Sequence, residues 1–293
     1  MLPDVITSQR SNVFEHKTTR FRMKKIKLPD FTGAVQSYIQ SLDINQILHH
    51  ALQVPGVKIN RASFLHKELI KYYSEDTVAE AIRYNPARAG IPRSAIDKLA
   101  NDAIGYETNK VTALSALASL PGGIAALGSV SADMVSYYAH ILRIVQKLAY
   151  LYGFPEFQLM EDSIDEETLN YILVFVGIMF GVHGAFETAN KIAAKVADNL
   201  ARKLPQKALN KSVINPLFGK ILSKIGSKAS KQSFTDLFAS AVPILGAAFS
   251  GGLTYVTFMP RCYKLRNTLR RYRLCDPDFY TKESAAKPQA KKI

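Results

Sequence analysis

The sequence predicts an all-α protein, a compact multi-helix domain with buried hydrophobic helices rich in small residues. Three observations predict it. Apolar residues recur mostly at helical spacing, the polarity alternation of a half-buried strand is scarce, and Pro, Gly and Asn cut the chain into helix-length pieces. The cuts fall at Pro29, Pro55 with Gly56, Asn85 with Pro86, Gly90 with Pro92, Pro121 to Gly123, Gly153 with Pro155, Pro205 and Pro216. With 293 residues, 47% of them hydrophobic, the chain can bury a large core. No internal repeat is evident.

Taken in order, residues 1–40 read as a basic leader. Its first thirty residues hold seven Lys or Arg without a continuous apolar segment, which argues against a secretory signal. Residues 41–280 form the helical domain. A short helix over 75–84 is ended by Pro86, and a second over 94–107 has Ser94 as N-cap with Asp97 three residues on. Residues 133–152 form the clearest long helix, with Met134, Tyr138, Ile141, Val145, Leu148 and Tyr152 as an apolar stripe. Residues 171–182 suit a buried helix. The run LTYVTF over 253–258 reads either as a strand or as the end of a buried helix. Residues 281–293, rich in Ala and Lys, predict a disordered basic tail.

Two stretches carry no charge, 22 residues over 111–132 and 23 over 237–259. Each reaches the ~20 residues a spanning helix needs. Pro and Gly interrupt both, however, and the mean hydropathy is −0.02, so packing against one another is expected, with reversible insertion left open. The net charge of +14 favours an anionic partner surface. Much of it lies in 188–234, where ten Lys or Arg face one acid, Asp198. On a helix over 213–231, Lys220, Lys224, Lys228 and Lys231 would flank an apolar stripe, a pattern shared by membrane-surface helices and ordinary amphipathic ones. Residues 261–273 add six basic residues after the second charge-free stretch. That arrangement resembles a juxtamembrane segment. Nucleic acid is a distant third partner, because no recognised binding motif accompanies the basic residues.

Candidate chemistry is sparse. Asp133, Tyr137 and His140 share one helix face, where the carboxylate could orient the imidazole for acid or base work; equally, Asp133 could serve the helix start while His140 bonds inside the core. The adjacent face aligns Ser136, Arg143, Gln146 and Tyr150, which between helices would make a packing network. Pro121, Gly122 and Gly123 suit a tight structural turn rather than a phosphate cradle. Cys262 and Cys275 read as free thiols. His49 and His50 point apart on a helix, and His183 reads as a core residue, so no metal or cofactor is expected.

The run LPGGIAALGSVSADMVSYYAHILRIVQKLAYLYGFPE over 120–156 resembles the EcsC family, whose pattern has a Pro-Gly-Gly turn, a Pro-Ala-Asp step and a closing Gln-Lys-Leu-x-Tyr-Leu-Tyr-Gly. This chain has Ser131 where that pattern has Pro, and Ser136 where it has Gln. PGVKINRASFLHKEL, NPARAGI, GIMFGV and GGLTYVTFMP extend the resemblance over most of 50–270. It implies a setting beside an exporter and no settled catalytic activity. The expectation is therefore a non-enzymatic accessory protein, cytoplasmic and peripheral on the inner face of the membrane, near a transporter or secretion component. The alternative is a hydrolase acting on a lipid or other apolar substrate through the Asp133 and His140 face.

Overall fold

The computed structural model describes residues 50–118, 130–157, 166–181, 184–205 and 251–286. All regular structure among them is helical. The leader over 1–40, His49, the Pro121, Gly122 and Gly123 turn, His183, the helix expected over 213–231 with Lys220, Lys224, Lys228 and Lys231, and most of the 281–293 tail lie outside the described residues.

Helices α1 (Arg61–Leu69) and α2 (Glu75–Arg83) pair as a short hairpin, each started by a polar cap. Asn60 accepts from the Ser63 amide at 2.8 Å, and Ser74 accepts from the Thr77 amide at 3.4 Å. Glu75 and Asp76 add negative charge at the positive end of α2. Its other end is closed from outside: the buried Arg61 guanidinium donates to the Ala81, Ile82 and Tyr84 carbonyls and to that of Phe154.

Helix α3 (Arg93–Ala118) is longer than the sequence suggested and begins elsewhere. The Pro92 carbonyl accepts from the Ala95 amide, which places Ser94 inside the first turn and not at the cap. Nor does the helix stop at Glu107. Residues 108–118 carry one charge, Lys110, and contain neither Pro nor Gly, so the backbone keeps its period.

Helix α4 (Val130–Leu151) starts three residues ahead of Asp133, which therefore lies within the helix. It is the central element, buried on several sides at once. Tyr138, Ile141, Val145, Leu148 and Tyr152 are buried as the stripe required, and Leu142, Ile144, Ala149 and Tyr150 are buried as well. It ends in a Schellman motif: Phe154 donates to the Ala149 carbonyl and Gly153, at φ +91°, to that of Tyr150.

Helices α5 (Glu166–Phe180) and α6 (Ala185–Ala201) follow, α6 burying Ala189, Ile192, Ala193, Val196 and Leu200 at helical spacing. Helix α7 (Gly251–Leu269) absorbs the run expected as a possible strand. Phe258, Cys262, Leu265 and Leu269 are its buried stripe, with a period near 3.6, and it lies across α3, α5 and α4. A 3-10 turn (Arg273–Cys275) and α8 (Pro277–Ala286) finish the described chain. Aromatic rings knit these layers together: Phe154 meets Phe175 and Tyr272 edge-on, and Tyr137 meets Phe258. No helix of the described residues is long and apolar enough to cross a membrane.

Candidate functional site

Within α4, His140, Arg143 and Lys147 stand at i, i+3 and i+7, so all three reach the same side of the helix. There they meet Glu107 of α3, whose side chain is 0% exposed. His140 Nδ1 lies 2.7 Å from Glu107 Oε2, Lys147 Nζ 2.5 Å from Oε1, and Arg143 Nε between the two at 3.1 and 3.2 Å. Lys147 also lies 4.8 Å from the Tyr106 ring centroid. Burial pushes the Glu107 carboxyl upward, but the His140 hydrogen bond and the Lys147 and Arg143 charges outweigh it and bring the group down to about 2.

That geometry limits the chemistry. A general base works best with a pKa near the operating pH, and Glu107 is held far below it with both oxygens occupied. The cluster is built as an anchor between α3 and α4. Arg143 extends it to the Gly56 carbonyl and so to the loop ahead of α1.

The other sequence candidates go to separate places. Tyr137 is buried, its hydroxyl accepting from Arg261 Nη1 at 3.4 Å, and burial raises its pKa. His140 is turned to Glu107 on another helix. Gln146 accepts from the Ile59 amide at 3.0 Å and donates to the Val57 carbonyl at 2.8 Å. The Tyr150 hydroxyl accepts from the Phe157 amide at 3.2 Å, while Ser136 is half-buried. Arg143 and Gln146 thus both tie α4 to the loop ahead of α1, Arg143 also to α3, and Tyr150 ties it to the segment that follows α4.

A second acid binds α3 to α7. Asp97 accepts from Arg270 at 2.7 Å and from the Tyr152 hydroxyl at 2.7 Å, with Arg266 at 3.5 Å. Sequence reading gave Asp97 only a capping role at a helix start and gave Glu107 none. The spacing of His140, Arg143 and Lys147 on an otherwise apolar helix was the available signal, since buried cations require a carboxylate. It did not say which one.

Among the described residues no group of three His, Cys, Asp or Glu side chains is placed to hold a metal ion, and Cys262 and Cys275 are buried free thiols.

The outer face of α7 differs in kind. Tyr255 and Val256 are 42% and 43% exposed, and an open groove of about 650 Å³ continues along the same face past Met259, Pro260 and Tyr263. It ends among Lys264, Asn267, Thr268 and Arg271. No Asp or Glu occurs anywhere in residues 237–275. The chain matches no family model, no curated protein and no solved structure.

Proposed function

We propose that this protein is a non-enzymatic accessory protein of the EcsC type that associates peripherally with an anionic membrane surface, on the cytoplasmic face, near a transporter or secretion component. The observation that carries the membrane reading is the outer face of α7, where half-exposed apolar side chains run directly into cations with no acid between them. An amphipathic face of this kind places rings and methyls at the headgroup boundary while its cations meet phosphate. The net charge of +14 adds long-range attraction to the same surface. The EcsC type and the transporter setting rest on the resemblance of residues 50–270 alone. His140, the imidazole on which the hydrolase alternative depends, is buried and turned to Glu107 of another helix, which weighs against that alternative.

Liposome flotation tests the reading. The full chain is expected to float with vesicles of phosphatidylcholine mixed with phosphatidylglycerol, to remain below with phosphatidylcholine alone, and to be released as salt shortens the screening length. Equal recovery from both lipid types at every salt concentration would replace an electrostatic surface by apolar insertion. No flotation on either would remove the membrane role.

A further inference from the structure

Residues 261–273 hold six basic side chains, and the fold spends four of them internally. Arg261 lies 4.8 Å from the Phe180 ring and donates to Tyr137 and to the Thr257 carbonyl. Arg266 and Arg270 hold Asp97, and Arg273 pairs with Asp198 at 2.6 Å. The side chains of the remaining two, Lys264 and Arg271, make no ion pair or hydrogen bond among the described residues, and both line the α7 groove.

Their placement is that of a subsite. Lys264 stands on α7, and Arg271 stands two residues past its end in a turn closed by the Arg271 amide donating to the Thr268 carbonyl. Between them Asn267 offers an amide and Thr268 a hydroxyl, so cation, amide, hydroxyl and cation follow one another along the groove. Toward the start of α7 the lining turns apolar with Met259, Pro260 and Tyr263, and one turn earlier come the exposed Tyr255 and Val256. A ligand that fits has an anionic, hydrogen-bond-accepting head and an apolar body. Inorganic phosphate would leave the apolar half without a partner, and a stacked nucleic-acid strand would call for several rings along the groove, whereas Tyr263 is the one aromatic side chain of its lining.

We infer that the α7 groove receives the phosphate headgroup of an anionic bilayer phospholipid between Lys264 and Arg271, with the glycerol and upper acyl region against Met259, Pro260 and Tyr263. This rests on the membrane reading above and assigns its contact to α7. Charge complementarity supports that occupant, because the groove lining holds these two cations and no acid. The Lys264 ammonium lies over Gly181, a left-handed turn residue, where an added side chain would collide with it.

The test compares two double variants of the full chain that remove equal charge. Lys264→Gln with Arg271→Gln alters the groove; Lys191→Gln with Lys195→Gln alters exposed positions on α6. Flotation on phosphatidylglycerol-containing vesicles should weaken at least about tenfold for the groove pair and less than about threefold for the control pair. Arg271→Gln alone should show an intermediate loss with unchanged helicity, which separates binding from folding. Short-chain phosphatidylglycerol below its micellar concentration should compete with vesicles, and inorganic phosphate at the same ionic strength should not. Equal losses for the two pairs overturn the groove while leaving general charge attraction in place. Competition by inorganic phosphate alone, or retention on single-stranded RNA that disappears in the groove pair, assigns the cations to another ligand and overturns the inference. Failure of the wild type to float removes both the groove and the membrane reading beneath it.

Discussion

Glu107 is where burial and charge act most directly against each other. Desolvation alone would favour its protonated form, yet one imidazole, one ammonium and one guanidinium keep it ionised down to about 2, against an ordinary 4.5. A folded-state value below the unfolded one gives stability that is fully present above about pH 4.5 and is lost as pH falls toward 2. The shift corresponds to on the order of 3 kcal/mol. Glu107→Gln should therefore cost about 3 kcal/mol at neutral pH, because it leaves the buried Lys147 and the half-buried Arg143 beside a neutral amide. It should also flatten the acid limb of the stability curve. Urea unfolding of both proteins at pH 7 and pH 3 measures the two effects together. A variant as stable as wild type, with the same acid slope, would mean that the cluster forms no net attachment between α3 and α4.

At the scale of elements, the ends of helices carry the tertiary structure. Gly153 closes α4 at φ +91°, and a Cβ there would stand 2.8 Å from Asn85 Nδ2. Asn85 cannot easily give way. Its amide donates to the Leu274 carbonyl and to the Tyr280 hydroxyl, both at 2.9 Å, and its oxygen accepts from the Arg88 amide at 2.7 Å. Gly153→Ala should combine backbone strain of about 1–3 kcal/mol with the displacement of that bridge. The expected outcome is a clear fall in melting temperature, whereas Gly105→Ala, inside α3 with open space around it, should be neutral or mildly stabilising. Equal melting temperatures for the two variants would show that Asn85 yields freely. Much at this scale was legible in sequence: Ser74 and Pro86 bracket α2, and the apolar stripe of α4 is where its period put it. What stayed open was local. LTYVTF by itself fits a strand or the end of a buried helix, and only reading on through Cys262, Leu265 and Leu269 shows the helical period that burial selects. Ser94 looked like a cap because Ser commonly is one, but the Pro92 carbonyl opens the helix first.

For the whole molecule, sequence reading located the charges and left open which would meet. The partners of Glu107 lie 33 to 40 positions away and those of Asp97 as far as 173, so neither pairing follows from local spacing. Nor does the formal charge of +14 say which cations are spent internally, the distinction that singles out Lys264 and Arg271. The same buried interior sets the behaviour at high pH. Burial raises the pKa of Tyr138, Tyr150, Tyr152, Tyr272 and Tyr280, and for Tyr152 the neighbouring Asp97 carboxylate opposes a second anion as well. A phenol whose folded pKa lies above its unfolded value contributes stability that is fully present below about pH 10 and is lost as pH rises further. Tyr106 is expected to behave oppositely, since the hydrogen bond from Lys110 lowers its pKa at the surface. Tyrosinate absorbance should therefore rise in two stages: surface phenols first, then the buried set in one cooperative step that coincides with loss of helicity. Thiol labelling gives an independent check. Cys262 is buried and its pKa raised, and burial pushes Cys275 up to about 11, so both should become reactive only at the second stage. A single smooth titration of all phenols, with helicity retained and both thiols labelled early, would mean that water already reaches the contacts of α4 with α3 and α7.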